Sequence, residues 1–192
     1  IRRPPISTLF PYTTLFRSYY IVRFFTGMRT SEIDGLKWSN VDFERRQILI
    51  RETVVMGEED TTKTDSSRRF IEMSKPVYEA LLSQHKVTGA KEGFVFCTRT
   101  GEPMNYSNVT NRVWYPTLAL LGLKKRRPYQ TRHTTATLWL ASGENPEWIA
   151  RQMGHSTTKM LFTIYSRYVP NITRQDGSAF NRLITAGRES EV

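Results

Sequence analysis

The sequence predicts a domain of the α+β class that is mainly α-helical and carries a small antiparallel β-sheet. Two neighbouring segments, 47–55 (QILIRETVV) and 68–73 (RRFIEM), are rich in β-branched residues and alternate in polarity, as strands do. The polar connection between them favours an antiparallel hairpin. The segments on either side carry helix start and stop signals, and a length of 192 residues suits one domain.

Two helices are predicted before the strands. The first runs from Tyr19 to Thr26, and Gly27 directly after it suits the left-handed residue that ends many helices. Thr30 is expected to cap a second helix of about eight residues, with Glu32 and Asp34 near its positive end.

The first 18 residues differ in composition from the rest of the chain. They contain three prolines and no acidic residue, and their apolar residues follow no sustained period. This favours a loop or a foreign, artefactual extension over a structural element. We therefore leave residues 1–18 unassigned, place the functional domain at 19–175 and treat 176–192 as a C-terminal tail.

The segments after the strands are predicted to be helical. Asn145 is a good N-cap, Pro146 suits the first helical position, and Gly154 suits the position just past the end. Pro116 should end or kink the helix in which it lies. The expected helices begin near Pro76, near Asn105, at Thr131, after Asn145 and near Thr158, the last reaching about Tyr168.

Positive charge is concentrated in the second half of the chain. The net charge is +10, and residues 103–175 hold ten Lys or Arg against two acidic residues. Clustered positive charge is typical of nucleic-acid-binding proteins, because each neutralised phosphate releases condensed counterions. The densest run, which is expected to bind the nucleic acid, DNA or RNA, is Lys124, Lys125, Arg126 and Arg127. On charge alone, a generally basic protein is the alternative.

Cysteine usage and hydropathy predict the compartment. The single cysteine, Cys97, excludes an internal disulfide and fits a reducing cytoplasm. No apolar run approaches the roughly 20 residues of a membrane span. We expect a soluble cytoplasmic protein with no membrane partner, associated with the nucleoid when it is bound to DNA.

Four segments carry a family resemblance. They are TGMRTSEIDGLKW (26–38), TKTDSSRR (62–69), YQTRHTTATLWL (129–140) and GHSTTKMLFTIYSRYV (154–169). In this order they closely resemble the catalytic boxes of the tyrosine recombinase, or phage integrase, family. The resemblance covers residues from about 19 to 180 and implies that family's catalytic-domain fold and its cleavage and rejoining of DNA strands.

The resemblance implies that Arg29 and Arg132 hold the phosphate that is attacked. A guanidinium group is always charged and can bind two phosphate oxygens at once, so it can stabilise the extra charge of a pentavalent transition state. A single arginine in a basic protein is ordinarily a surface residue. Arg29 directly after a helix stop and Arg132 at the start of an apolar helix are less ordinary.

Two further catalytic positions are implied by the resemblance. Lys63 matches the hairpin lysine that protonates the leaving 5′ oxygen, since an ammonium group can give up a proton and a guanidinium cannot. Lys75 is a distant second choice, and an exposed turn lysine is the alternative interpretation of Lys63. His155 matches a position that holds His or Trp in the family, where its N–H could bond a phosphate oxygen.

Two supporting residues are expected beside these. Glu32 matches a family acid whose carboxylate would hold an arginine or lysine in place, although a solvated carboxylate on a helix face is a fair alternative. His133 directly follows Arg132 and is expected to be structural, packing or hydrogen bonding beneath the site.

Tyr165 aligns with the family's nucleophile. Its phenol has an ordinary pKa near 10, so we expect neighbouring Arg and His charges to stabilise the phenolate. Attack on phosphorus would leave a 3′-phosphotyrosyl link that stores the energy for rejoining. Tyr168 lies three residues further on and is the alternative nucleophile.

The sequence departs from the family pattern at two points. The family usually has a histidine three residues before the second arginine, and this chain has Tyr129 there, a phenol that can donate a hydrogen bond to phosphate but is a poor acid–base group at neutral pH. The step from His155 to Tyr165 is ten residues, one longer than the commonest family spacing.

The function predicted from these residues is site-specific recombination for integration or excision of a mobile element. The expected partner is double-stranded DNA, bound by four protomers in the full-length protein, and no metal or nucleotide cofactor is expected. Family members usually have an N-terminal helical domain that closes over DNA, and no equivalent precedes Tyr19, which predicts a catalytic fragment with weak binding.

Two alternatives remain open on the sequence. A catalytically impaired integrase fragment that only binds DNA is favoured by Tyr129. A type IB topoisomerase-like enzyme is less favoured, because the chain is short for that class. A metal-dependent nuclease would need a carboxylate cluster, which residues 103–175 lack.

Overall fold

The structure is a computed structural model that describes residues 6–55, 58–61, 68–91 and 93–165. Its helices and strands are α1 (Ile6–Thr26), α2 (Thr30–Asp34), β1 (Val41–Asp42), β2 (Gln47–Ile50), β3 (Glu52–Val55), β4 (Glu58–Thr61), β5 (Arg69–Glu72), α3 (Lys75–Thr88), α4 (Tyr106–Val109), α5 (Tyr115–Leu120), α6 (Gln130–Ala141), α7 (Pro146–Met153) and α8 (Lys159–Tyr165). The mainly helical α+β class predicted from the sequence is confirmed.

Helix α1 begins well before the expected residue. It starts at Ile6 and continues through Pro11, so the expectation of no structural element in residues 1–18 is wrong from residue 6 onward. Leu15, Tyr19 and Val22 are buried on one face of this helix, which packs against α3. The prolines concealed this face in the sequence, and α1 has no break at the domain boundary that we placed at residue 19.

The sheet confirms the predicted antiparallel pairing and corrects its extent. The strand order is β1-β2-β5, with β2 and β5 antiparallel and Ile48 opposite Ile71 in the buried face. The expected strand 47–55 is interrupted at Arg51, which is exposed. Beyond it, β3 pairs with β4 as a separate two-stranded sheet, and β4 lies in the segment expected to be only a polar link.

Pro116 neither ends nor interrupts the helix in which it lies. A π-helical turn (Thr110–Trp114) lies directly before this region and joins α4 to α5 without a break. A proline ring clashes with the carbonyl four residues earlier in a regular α-helix. In a π turn each N–H donates to the carbonyl five residues earlier instead of four. This different hydrogen-bond pattern lets the helix continue through the proline.

Buried apolar residues form two clusters, and the candidate site lies between them. The larger cluster packs α1, α2, the three-stranded sheet and α3 around residues such as Val22, Ile33 and Leu81. The smaller packs α6, α7 and α8 around Ile149 and Leu161. Polar side chains from the first cluster's elements bond the backbone at the end of α7, so the two clusters meet along a polar seam.

Candidate active site

Arg29 lies at the start of α2 and reaches toward the end of α7. It occupies the N-cap position that we expected Thr30 to hold, and α2 runs for five residues to Gly35 rather than about eight. The Arg29 guanidinium donates to Glu32 Oε1 at 2.8 Å and to the Gly154 carbonyl at 3.1 Å. Its side chain remains 34% exposed. Arg29 is therefore anchored by protein partners while part of it faces solvent.

Glu32 lies between two guanidinium groups. Its Oε1 accepts from Arg29, and both of its oxygens accept from Arg69 at 2.9 Å, the two parallel bonds typical of an arginine–carboxylate pair. Burial alone would raise the pKa of this carboxyl, but hydrogen bonds and charge from Arg69, and then from Arg29, lower it to about 2. Glu32 is thus ionised at neutral pH and holds both arginines in place.

Arg69 is a site residue that sequence reasoning did not single out. It lies on β5, is buried, and donates from Nε to the Gln152 carbonyl at 2.7 Å in addition to its two bonds with Glu32. The signal was present in the strand pattern, because Arg69 and Ile71 alternate onto the same buried face. A charged residue on the buried face of a strand needs a buried partner of opposite charge.

Arg132 is buried at the start of α6 and is held by backbone carbonyls. Its terminal nitrogens donate to the carbonyls of Gly27 and Met153, and one of them lies 3.1 Å from His155 Nε2. Burial, followed by repulsion from Arg29, lowers the pKa of Arg132 to about 10. The group therefore stays charged at neutral pH.

Gly154 makes the close approach of Arg29 and Arg69 to the end of α7 possible. It follows α7 with a φ of +65°, the left-handed conformation predicted for the residue after this helix. A Cβ atom at this position would lie 2.9 Å from an Arg69 terminal nitrogen and 3.3 Å from one of Arg29. A side chain at this position would push both guanidinium groups away.

His155 touches Arg132 but is uncharged. Burial and the nearby charge of Arg132 lower the pKa of His155 to about 4. Our expectation that histidine charge would help to stabilise the Tyr165 phenolate is wrong for this residue. Because Arg132 can only donate, His155 Nε2 accepts and its proton lies on Nδ1. Among the described residues this buried Nδ1 has no hydrogen-bond partner.

Tyr165 lies at the end of α8 with its hydroxyl bonded to His133. The distance from Tyr165 Oη to His133 Nδ1 is 2.7 Å, and Tyr165 is buried. Burial raises the pKa of Tyr165 above its ordinary value, and the charge of Arg132 offsets this only in part. The expectation of a phenolate stabilised by its neighbours therefore does not hold in this state of the site.

Tyr129 takes the N-cap position of α6, one helical turn before His133. Its ring meets the imidazole edge-on with a centroid distance of 5.1 Å, and the residue is 44% exposed. The structure thus brings Tyr129, His133 and Tyr165 into one contact series beside Arg132.

Three other candidates do not take part in the described site. Lys63 and Tyr168 lie outside the described residues. Lys75 lies at the start of α3, with its side chain 85% exposed and its Nζ 4.0 Å from Glu79. Lys75 is therefore a solvent-exposed helix residue paired with Glu79, as a surface lysine usually is.

The basic run 124–127 forms an exposed connection between α5 and α6. Lys125 Nζ lies 4.4 Å from the centre of the Tyr115 ring, and Trp114 Nε1 donates to the Arg126 carbonyl at 2.6 Å. These contacts fix the backbone of the run while its positive charges stay in solvent.

The described parts of the chain contain neither a candidate metal site nor a candidate membrane-spanning helix. There, no group of three His, Cys, Asp or Glu residues is placed to hold a metal ion. The helices of the same residues include none that is long and apolar enough to cross a membrane.

Comparison with known proteins identifies relatives of this chain. It is 29% identical over 181 residues to the prophage integrase IntR of Escherichia coli (strain K12), which covers 82% of this chain and 44% of the relative. It is 26% identical over 179 residues to the integrase of Staphylococcus phage L54a, covering 85% and 51%. The chain thus spans about half the length of the curated relatives it matches.

Solved structures share the fold. The Tn1549 transposon integrase in complex with circular intermediate DNA superposes with a TM-score of 0.72 at 23% identity, covering 96% of this chain and 66% of the other. XerA recombinase gives a TM-score of 0.66 at 22% identity, covering 92% and 59%. The family model described as "Phage integrase family" matches residues 13–171. This chain therefore belongs to the phage integrase family.

Proposed function

We propose that this chain is the catalytic part of a site-specific DNA recombinase that cleaves and rejoins strands through a 3′-phosphotyrosyl intermediate. The observation that carries the proposal is the convergence of Arg29, Arg132 and His155 at the end of α7, with the Tyr165 hydroxyl close enough for the charge of Arg132 to act on it. These groups come from three of the four family segments, 26–38, 129–140 and 154–169.

Arg29 suits a phosphate better than a structural role alone requires. Its contacts with described residues use two of its five side-chain N–H groups and leave the side chain partly exposed. Rigid backbone and carboxylate partners hold the guanidinium groups of Arg29 and Arg132 before any substrate arrives. Such fixed donors stabilise developing charge without reorganisation during the reaction.

His155 and Lys63 complete the proposed roles. The buried Nδ1–H of His155 has no partner among the described residues, and its proposed acceptor is a non-bridging phosphate oxygen of bound DNA. Lys63 is proposed, from the family resemblance, as the acid that protonates the departing 5′ oxygen. Tyr129 is proposed to donate a hydrogen bond to the phosphate from the exposed rim.

DNA is the proposed substrate and partner. The net charge of +10 and the exposed run 124–127 supply the electrostatic attraction to phosphates. One relative is named a prophage integrase, and one solved relative was determined with circular intermediate DNA, which supports a role in integration or excision of a mobile element. Four protomers on two duplexes remain the proposed assembly of the full-length protein.

Covalent capture tests the proposal directly. The chain is incubated in EDTA with 5′-labelled duplexes that carry a nick and a randomised central sequence, so that cleavage releases a short fragment and traps the protein on DNA. We expect a labelled adduct that survives denaturation, and its loss in Tyr165→Phe with DNA retention kept. An adduct lost in Tyr168→Phe instead would overturn the nucleophile assignment, and retention without any adduct would overturn the catalytic proposal.

A further inference from the structure

The Tyr165 hydroxyl, which is proposed to attack DNA, is already in contact with an imidazole side chain. His133 Nδ1 lies 2.7 Å from Tyr165 Oη, and the ring centres are 5.6 Å apart. The two residues lie on α6 and α8, whose apolar faces pack together around Leu140 and Leu161. The contact is thus set by helix packing rather than by a loop.

The imidazole tautomer sets the direction of this hydrogen bond. Burial, and then the charge of Arg132, lowers the pKa of His133 below its ordinary value, so the imidazole is neutral at pH 7. A neutral imidazole has one nitrogen that accepts. With the proton on Nε2, His133 Nδ1 accepts the proton of the Tyr165 hydroxyl, which is the arrangement a base requires.

Other groups around the pair cannot take this proton. Arg132 and Arg29 only donate, and Tyr129 is a phenol like the nucleophile itself. His155 Nε2 is occupied by Arg132. Within the described part of the site, His133 is the titratable group in hydrogen-bond contact with the Tyr165 hydroxyl.

We propose that His133 is a catalytic residue of this chain, the general base that removes the Tyr165 proton during DNA cleavage. This rests on the proposed function. As the Tyr165 Oη–phosphorus bond forms and the bond from phosphorus to the 5′ oxygen breaks, the phenolic proton moves to His133 Nδ1. The 5′ oxygen leaves with a proton from Lys63. In rejoining, the 5′ oxygen forms its bond to phosphorus as its proton passes to the neutral amine of Lys63, and the bond from phosphorus to Tyr165 Oη breaks as the imidazolium returns its proton to that oxygen.

Buried Tyr165 needs such a base more than an exposed tyrosine would. Burial raises its pKa, so spontaneous ionisation at neutral pH is rarer than for a tyrosine in water. One helical turn before His133, at the position where the family usually has histidine, this chain has Tyr129. The Tyr129 ring touches His133. An acid–base group is therefore present on the same face of α6, four residues further on.

The first test is His133→Asn, which keeps a hydrogen-bond acceptor near the Nδ1 position but cannot take a proton at neutral pH. The rate of adduct formation is measured on a duplex captured by the wild type, from pH 5.5 to 9.5. We expect a loss of at least about 100-fold at pH 7, the usual contribution of a general base. The deficit should shrink as pH rises, because direct ionisation of Tyr165 replaces the base.

A sulfur-substituted substrate separates a base from an acid. In a duplex with a bridging 5′ phosphorothiolate, the leaving group is a thiolate that departs without a proton. We expect this substrate to restore cleavage by Lys63→Ala but not by His133→Asn. Restoration of His133→Asn would mean that His133 acts on the leaving group, and would overturn the proposal.

The remaining outcomes distinguish failure of the base from failure of the proposed function. No adduct with the wild type removes the proposed function itself. A wild-type adduct together with an unchanged rate in His133→Asn removes only the base. Where His133→Asn does not fold, as judged by thermal unfolding, His133→Gln and the wild-type pH profile serve instead. A wild-type rate that rises tenfold per pH unit from pH 6 to 9 would contradict the proposal, because a base that is already unprotonated gives no such increase.

Discussion

The short helix α2 carries two buried carboxylates with opposite properties. Glu32 accepts from two guanidinium groups, and its pKa is lowered to about 2. Asp34, two residues later, accepts from the Tyr19 hydroxyl at 2.8 Å, and burial raises its pKa to about 6. Burial is similar at the two positions, so the partners decide the direction in which each pKa shifts.

The arginines on the two sides differ in the same way. Arg23 is buried beside Asp34, and each of its three nitrogens has a protein partner, among them Tyr19 and the Thr30 hydroxyl. Arg29 has its side chain partly exposed. One side of α2 is a closed structural network, and the other is an ionised network with donors left for a ligand.

The largest expected effect separates the two carboxylates. Glu32→Gln removes the negative charge from a buried, doubly hydrogen-bonded pair with Arg69 and should lower the free energy of unfolding by about 3–5 kcal/mol at pH 7. Asp34→Asn removes a charge that burial disfavours and keeps an oxygen for Tyr19, so it should be neutral or slightly stabilising. Urea unfolding of both variants measures the difference, and equal destabilisation would contradict the distinction.

Arg29 should matter for chemistry more than for folding. Arg29→Ala removes a proposed phosphate donor and should lower the adduct-forming rate about 10²–10³-fold, as loss of one fixed donor does elsewhere. Its partial exposure limits the stability cost to about 1 kcal/mol. Arg45→Ala, in the exposed turn between β1 and β2, is the charge-matched control and should keep the wild-type rate. A similar loss in both variants would point to general electrostatics.

The two carboxylates should also give opposite pH dependences of stability. The pKa of Asp34 is raised, so its contribution is complete below pH 3.8 and is lost as pH rises through about 6, a change of about 2–3 kcal/mol. The pKa of Glu32 is lowered, so its contribution is present above pH 4.5 and is lost as pH falls toward about 2. Urea midpoints from pH 4 to 8 should fall less in Asp34→Asn than in the wild type.

Local signals were enough to predict much of the fold. The glycines and caps that bound α7 and the alternation of β2 and β5 are properties of neighbouring residues, and both predictions are confirmed. The start of α1 was not predictable in this way, because its buried face depends on packing against α3. Likewise, the predicted strand 47–55 is divided at Arg51 because its second part pairs with β4, and local sequence does not encode that pairing.

Within the site, the residues could be predicted from motifs but their states could not. The boxes indicated Arg29, Arg132, His155 and Tyr165, whereas the neutral state of His155 arises from burial beside Arg132. The contact between His133 and Tyr165 joins residues 32 positions apart, and no local pattern encodes it. Their roles in catalysis stay predictions until adduct formation is measured.

The smallest expected effect tests whether the Arg23 side of α2 is purely structural. Tyr19→Phe removes the hydroxyl that lies 3.1 Å from Arg23 and 2.8 Å from Asp34, leaving two buried groups each short of a partner. We expect a loss of about 1–2 kcal/mol in unfolding free energy, since such groups lose hydrogen bonding without regaining water. The adduct rate per folded molecule should stay unchanged, because Arg29 and Glu32 keep their own partners. A tenfold slower adduct with little loss of stability would show that the two networks are coupled through α2, and the division between a structural and a chemical face would then be wrong.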